Sequence, residues 1–256
     1  EGGISPTQWQ RSLYPADARA RITVCHDGID TRRFRPDPAA SLKLPDGRVL
    51  KAGDPIVTFV ARDLEPYRGF PQALEAAAKV IRKHPDALFV FVGSDGVSYG
   101  TPPPDGGSWK EHLLKSLDLP RDRVLFPGAV PHAVLRQLFQ ISAAHVYLTY
   151  PFVLSWSVLE AMACGALVIA SDTACVQEVI RSGRNGILVP FFDTDALAES
   201  ILGALKSPDS YAGLRAAARR TVEQRFRLEE CLATQTNLIG KLTGMDCNTA
   251  KELRIA

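Results

Sequence analysis

Two arginines stand six residues apart in the stretch ARDLEPYRG, Arg62 and Arg68. A guanidinium is permanently cationic and forks onto paired oxygens. Two of them after one apolar run can grip a phosphate group, or they can simply be solvated surface charges. A second stretch, YPFVLSWSVLEAMACG from Tyr150 to Gly165, reads as a helix preceded by a hydroxyl-rich turn. The first amides of a helix lack intrahelical partners, and the helix dipole draws negative charge toward them. This start, with Ser155, Trp156 and Ser157, therefore offers a place for an anion. Glu160 lies just inside it. Ser157-x-x-Glu160 also fits a capping box, in which the carboxylate bonds back to the backbone. Capping and ligand binding put the carboxylate in the same place, and the sequence leaves both open.

Elements must carry these residues. RITVCHDGID reads as a first strand ending at Gly28, and PIVTFVARD as a second. Helix GFPQALEAAAKVIRKH follows, with Leu74, Ala77, Ala78 and Ile81 in helical spacing. Then come strand ALFVFVG, helix WKEHLLKSL, strand RVLFPG, helix HAVLRQLFQIS and strand AHVYLTY. After the Glu160 helix come strand ALVIAS, a short helix around Glu178, strand GILVP and helices from Asp193 onward. The strands are apolar throughout, as expected when both faces of a sheet are covered. Repeated β–α alternation predicts an α/β protein with a doubly wound parallel sheet. Ligands of such sheets bind outside the carboxyl ends of the strands. That edge is expected to carry Gly28, Arg62, Gly93, Gly128 and the Tyr150 region. The Gly/Pro-rich insert SDGVSYGTPPPDGGS follows a strand and is expected to rim the same edge.

Bulk properties narrow the class. A chain of 256 residues can bury one sizeable core or two small ones. The net charge of +2, with no long Lys/Arg run, gives no footprint for nucleic acid. Five cysteines, at 25, 164, 175, 231 and 247, form no C-x-x-C pair. An odd, scattered set argues against a disulfide framework or a zinc site and fits reduced thiols in a cytoplasmic setting. No apolar run reaches the roughly 18 residues of a membrane span.

With these residues in view, the chain resembles the C-terminal domain of retaining glycosyltransferases of the GT-B fold, glycosyltransferase family 4. The resemblance rests on ITVCHDGIDTRRFRP, VARDLEPYRGF, FVFVGSDG, VLFPGAVPHAVLRQLF, LEAMACGALVIASD, EVIRSGRNGILVP and DALAESI, in the family's order over about residues 20–200. It implies a Rossmann-like domain that is one half of a two-domain architecture. It further implies that Arg62 and Arg68 grip the diphosphate of a nucleotide sugar, with Arg68 where the family usually has Lys. By the same resemblance Glu160 binds the nucleotide ribose, and the backbone at Ser155, Trp156 and Ser157 touches sugar and phosphate. The base lies by Val130 and Pro131, and the turn at Gly28 borders the cleft.

One position departs from the family's pattern. Where an upstream Glu faces the donor sugar, this chain has Phe152, and no acidic residue occurs between Arg123 and Leu159. A phenyl ring accepts no hydroxyl hydrogen bond. Either other groups hold the sugar, or it is read by apolar contact, or Phe152 only packs at a strand end.

Other signals read as structural. Asp193 and Asp195 look like a metal-binding D-x-D but stand where a helix begins, as an N-cap and a first-turn acid. The family typically needs no metal, and no cofactor is expected beyond the sugar nucleotide. His26 and His132 are expected to play local roles, Cys164 and Cys175 to be packed, and Trp156 either to stack on a ring or to be buried. Residues 1–19 read as the remnant of an N-terminal domain and linker, 20–225 as the nucleotide-sugar-binding domain, and 226–256 as a C-terminal helix and polar tail. In the family the N-terminal domain carries the acceptor groups, so its contact with this half would leave Leu232 and Leu238 exposed here. Any peripheral contact with the inner face of a membrane would run through that absent half. The expected function is donor binding for sugar transfer with retention, in bacterial surface glycan synthesis. A related enzyme such as a nucleotide-sugar epimerase, and a non-catalytic binding module, remain as alternatives.

Overall fold

The computed structural model describes residues 2–244. The first elements are β1 (Gly3–Ser5), α1 (Gln8–Ser12), α2 (Ala16–Arg19) and β2 (Ile22–Val24), followed by a hairpin of β3 (Ser41–Lys43) and β4 (Val49–Lys51). Six strands then alternate with helices: β5 (Ile56–Asp63), α3 (Phe70–Lys83), β6 (Leu88–Ser94), α4 (Trp109–Leu114), β7 (Val124–Gly128), α5 (His132–Ile141) and β8 (Ala144–Tyr147). The alternation continues through α6 (Trp156–Ala163), β9 (Val168–Ser171), α7 (Ala174–Gln177) and β10 (Ile187–Val189). It closes with α8 (Thr194–Lys206), α9 (Ala212–Arg225) and α10 (Leu228–Thr243).

The six strands form one parallel sheet in the order β10-β9-β8-β5-β6-β7. Counted from β5, this is the doubly wound order 3-2-1-4-5-6 read from the other edge. The order reverses between β5 and β8, so the crevice for a ligand is expected at the carboxyl ends of those two strands. The chain leaves β5 through Arg62 and Arg68, and leaves β8 through the 148–155 loop into α6.

Composition explains the strands and their cover. β6 buries six of its seven residues, because helices cover both of its faces. On one face α3 presents Phe70, Leu74, Ala77 and Ile81 beside Phe59, Phe91 and Ile201. On the other, α5 places Leu138 and Ile141 beside Leu88, Val90 and Val92, while α6 and α9 cover β8 and β9 with Val158, Met162 and Val222. Phe70 and Phe91 are fully buried with ring centroids 5.6 Å apart; each such side chain contributes about 1.5–3 kcal/mol.

Three features differ from the sequence reading. RITVCHDGID does not join the main sheet. Its strand is only β2, which pairs in parallel with β1 in a separate two-stranded sheet. Beyond it the chain turns at Gly28 (φ +92°) and Ile29 bridges to Arg227, so the segment follows α10 rather than β5. A Cβ at Gly28 would stand 2.6 Å from Leu228 Cα, so that glycine permits a backbone contact. The β3–β4 hairpin was not anticipated, although LKLPDGRVLK carries a turn signal between alternating residues.

The first residues are tied to the rest of the chain. The Glu178 carboxylate accepts the backbone N–H groups of Gln8 and Trp9, each at 2.8 Å, at the start of α1. The tail from Met245, expected to be loosely held, lies outside the described residues. Among the described residues no helix is long and apolar enough to cross a membrane.

Candidate functional site

Gly69 sets the position of Arg68. It ends a single 3-10 turn, Pro66–Arg68, in the left-handed region at φ +69°. A Cβ there would fall 2.4 Å from Leu148 Cβ, so only glycine lets the two backbones approach this closely. The approach brings Arg68 from β5's exit to the loop that leaves β8. Its Nη1 donates to Thr149 Oγ1 at 3.0 Å and to the Val153 carbonyl at 3.3 Å. The guanidinium carbon lies 5.3 Å from the Tyr99 ring centre and 5.4 Å from that of Phe152, and those two rings meet edge to face at 4.9 Å. Phe152 therefore packs on a cation rather than only on the strand end.

The same loop opens α6. Ser155 is the N-cap, and its hydroxyl accepts the Ser157 N–H at 3.3 Å and lies 2.9 Å from the Ser157 hydroxyl. The Ser155 N–H is bound in turn by the Tyr147 hydroxyl at 2.8 Å. Burial pushes the Tyr147 phenol up to about 12, against the pull of Arg68, so it stays neutral. Tyr147 thus joins the cation and the helix opening at one point. The 148–155 loop meets the chain leaving β5 across the sheet's reversal, with the Tyr150 N–H on the Tyr67 carbonyl at 3.1 Å.

Glu160 faces another partner. The capping box read at Ser157 does not form, because the cap is Ser155, two residues earlier. The Glu160 carboxylate instead lies 2.8 Å from His132 Nε2, across 28 residues of sequence. Glu160 is buried, and burial raises its pKa, while His132 and Arg33 oppose the rise. The His132 ring rests on Phe34 with centroids 5.0 Å apart. His132 opens α5 directly after its N-cap, Pro131, and Val130 packs beneath against the hairpin core. Glu160, Pro131 and Val130 are therefore neighbours through one histidine, a link that sequence reasoning treated as local.

The other predicted residues are placed as follows. Trp156 is 56 % exposed, not buried, and its Nε1 donates to Asp27 Oδ2 at 3.2 Å, next to Gly28. His26 is buried, with Nδ1 accepting the Gly28 N–H at 3.0 Å; burial lowers its pKa. Arg62 is exposed on β5, with no hydrogen-bond or ion-pair partner among the described residues. Asp193 caps α8 by accepting the Ala196 N–H at 2.8 Å, and Asp195 pairs with Lys79 at 2.8 Å. Among the described residues no cluster of His, Cys, Asp and Glu forms a metal site, and Cys25, Cys164, Cys175 and Cys231 are buried free thiols.

Arg68, Phe152, Ser155 and Ser157 thus share one corner of the sheet edge, and Glu160 with Pro131 borders it through His132. Tyr99, Thr149, Tyr147 and Glu65 complete that corner and were missed. Nothing local in the sequence marks Glu65, Tyr99 and Thr149, whose contacts join distant segments, and the Tyr147 hydroxyl reaches Ser155 only by the turn of the loop between them. The arrangement presents a cation, a helix opening and a carboxylate at the sheet edge where a ligand crevice is expected. It suits a ligand with both anionic and hydroxyl groups.

Comparison with known proteins gives the family and the shared fold. Residues 43–221 match the family model described as "Glycosyl transferases group 1", and residues 1–34 match one described as "Glycosyl transferase family 4 group". The chain is 30% identical over 214 residues to a D-inositol 3-phosphate glycosyltransferase of Rhodococcus erythropolis, covering 82% of this chain and 46% of that protein. To the protein of the same name from Mycobacterium avium it is 32% identical over 209 residues, 81% of this chain and 46% of the other. It therefore spans about half the length of these curated relatives. Among solved structures, sucrose-phosphate synthase from Thermosynechococcus elongatus superposes with a TM-score of 0.77 at 25% identity, over 95% of this chain and 58% of that one. Anabaena HepE, solved with UDP-glucose, superposes with a TM-score of 0.75 at 19% identity, over 93% and 63% of the two chains, and shows the shared fold. The architecture is the Rossmann-like half of a GT-B glycosyltransferase, and the chain belongs to the glycosyl transferases group 1 family.

Proposed function

We propose that this chain is the donor-binding half of a family 4 glycosyltransferase that moves a sugar from a nucleotide diphosphate sugar with retention of anomeric configuration. The observation that carries this reading is Arg68 beside the opening of α6, at the point where the strand order reverses. Nη1 donates to Thr149 and Val153, and the guanidinium also bonds the Tyr147 hydroxyl, which leaves the remainder of its five N–H groups for a ligand. In this reading they take diphosphate oxygens. The α6 dipole and the exposed Arg62 add positive potential at the same edge. As the sugar–oxygen bond breaks, charge grows on the leaving diphosphate, and donors already in place stabilise it. The reading calls for no metal. Glu160 accepts ribose hydroxyls and His132 holds its carboxylate toward them, while the base lies over Val130 and Pro131.

The acceptor side belongs to a second domain. The exposed stripe Leu232, Ile239 and Leu242 on α10 suits contact with it; Leu238, also expected there, is half-buried. A bacterial surface glycan is the product class we favour, made in the cytoplasm or at the inner membrane face. Phe152, in the place of a sugar-facing carboxylate, favours one second reading, a binding module that turns over no donor. Calorimetry with UDP and GDP tests the first step. We expect one of them to bind with a dissociation constant below a millimolar, and failure of both at that concentration would refute the donor role. Donor turnover by the full-length protein then separates enzyme from module.

A further inference from the structure

One buried carboxylate has no part in the reaction described above. Glu65 lies between Arg62 and Arg68, and its residue is 0% exposed. Oε1 accepts the Ser98 N–H at 3.3 Å; Oε2 accepts the N–H groups of Tyr99 at 3.1 Å and Gly100 at 3.0 Å. Three consecutive amides thus converge on one carboxylate, an arrangement of charge-assisted bonds that fixes a backbone firmly. The Ser98 hydroxyl also bonds the Asp63 carboxylate, and the Trp109 Nε1 donates to the Thr101 carbonyl at 2.9 Å. Gly96 eases the approach, since a Cβ there would meet Asp63 Oδ1 at 2.7 Å, whereas one at Gly100 would make only ordinary contact with Glu65 Oε2 at 3.4 Å. The Gly/Pro-rich insert is therefore pinned at the point where Tyr99 leaves it.

That point matters because of where the Tyr99 ring goes. Together with Phe152 it borders the Arg68 guanidinium, and the three groups lie within 5.4 Å of one another by their centres. Arg68 is otherwise held by Nη1 on Thr149 and Val153 and by its interaction with the Tyr147 hydroxyl. Rings against a guanidinium restrict its rotation and shield it from water, which strengthens its hold on an anion. We infer that Glu65 is a positioning residue. By holding Ser98–Gly100 it sets Tyr99, with Phe152, as an aromatic collar that orients the Arg68 guanidinium for the diphosphate. The inference rests on the donor reading for its ligand, while the holding of the loop stands on geometry alone. It also gives Phe152 a role in this chain: the ring completes a cation site rather than replacing a sugar acceptor.

Two measurements test the two halves. Hydrogen exchange of the chain without ligand reads the loop. In Glu65→Gln, exchange at the Ser98, Tyr99 and Gly100 amides should quicken at least tenfold, while amides of β6 keep the parent's rate. Unchanged exchange at those three amides overturns the holding role. Nucleotide titration reads the consequence, with UDP against UMP and GDP against GMP as probes. In Tyr99→Ala the preference for diphosphate over monophosphate should shrink about three- to fivefold, with monophosphate affinity unchanged. Tyr99→Phe should keep the parent's preference, since the ring and not the hydroxyl borders the cation. A preference unchanged in Tyr99→Ala overturns the collar, as does an equal loss for diphosphate and monophosphate. If the parent binds none of the four nucleotides, the donor reading and the collar's purpose fall together, and the exchange result still decides whether Glu65 holds the loop.

Discussion

His145 offers a quantitative test of the core. It stands on β8, fully buried, with Nδ1 3.0 Å from the Thr58 hydroxyl. The Ser142 hydroxyl donates its one proton to the Ala144 carbonyl at 2.8 Å. Thr58 then donates to Ser142 at 2.8 Å and accepts from His145 Nδ1–H. Nε2 is left with a lone pair and no partner, beside the Phe139 ring at 5.1 Å. Protonation would place a charged N–H where no acceptor exists. Burial accordingly lowers the His145 pKa from 6.5 to about 3. The unfolded chain keeps the ordinary value, so between these limits it binds more protons than the folded one. Stability from this group is present in full above pH 6.5 and is lost as pH falls toward 3. The slope is about 1.4 kcal/mol per pH unit, so about 3 kcal/mol is lost by about pH 4. Urea unfolding followed by tryptophan fluorescence, in the parent and in His145→Leu, measures it. Carboxylates and His26 titrate in both proteins and cancel in the difference. The stability of the parent relative to the variant should decline by that slope below pH 6.5. Parallel curves down to about pH 4 would show that His145 titrates normally and would refute the buried-network account.

Two further perturbations address the site. Arg68→Ala should weaken the binding of whichever of UDP and GDP the parent prefers by about 1.5–3 kcal/mol, roughly ten- to a hundredfold; equal affinity in calorimetry would remove Arg68 from the diphosphate site. Gly69→Ala forces a Cβ into Leu148 and a left-handed backbone, and should cost about 1–3 kcal/mol of stability. An unfolding midpoint matching the parent's would contradict the close approach that delivers Arg68 to the β8 loop.

Regular structure was legible where the chain obeys a local rule. The six sheet strands are short apolar runs, α3 shows its period in Leu74, Ala77 and Ile81, and Asp193 marks the start of α8. The carboxyl edge followed from β–α alternation, and the segments carrying Arg68 and Ser155 leave β5 and β8 at that edge. Pairing was less legible. ITVC reads as a strand, but nothing within it says that its partner is Gly3–Ser5 rather than β5. The cap at α6 stayed open in the sequence because Ser155 and Ser157 both fit; in the structure Ser155 takes it, with its own N–H held by the Tyr147 hydroxyl. The His132–Glu160 contact and the Glu65 carboxylate under Ser98–Gly100 join distant segments, and no spacing rule reaches that far. The departure at Phe152 was visible as a residue type; its use was not, because the ring's partner Tyr99 sits on a loop whose path the sequence does not encode locally.

The reversal of strand order has a final consequence. The chain leaving β5 climbs onto one face of the sheet as α3, while the chain leaving β8 climbs onto the other as α6. Neighbouring exits that part in opposite directions open a hollow by the path of the backbone alone. Individual side chains then furnish a room whose walls they did not build. A phenyl can stand where a carboxylate would otherwise project, and the hollow persists with altered chemistry.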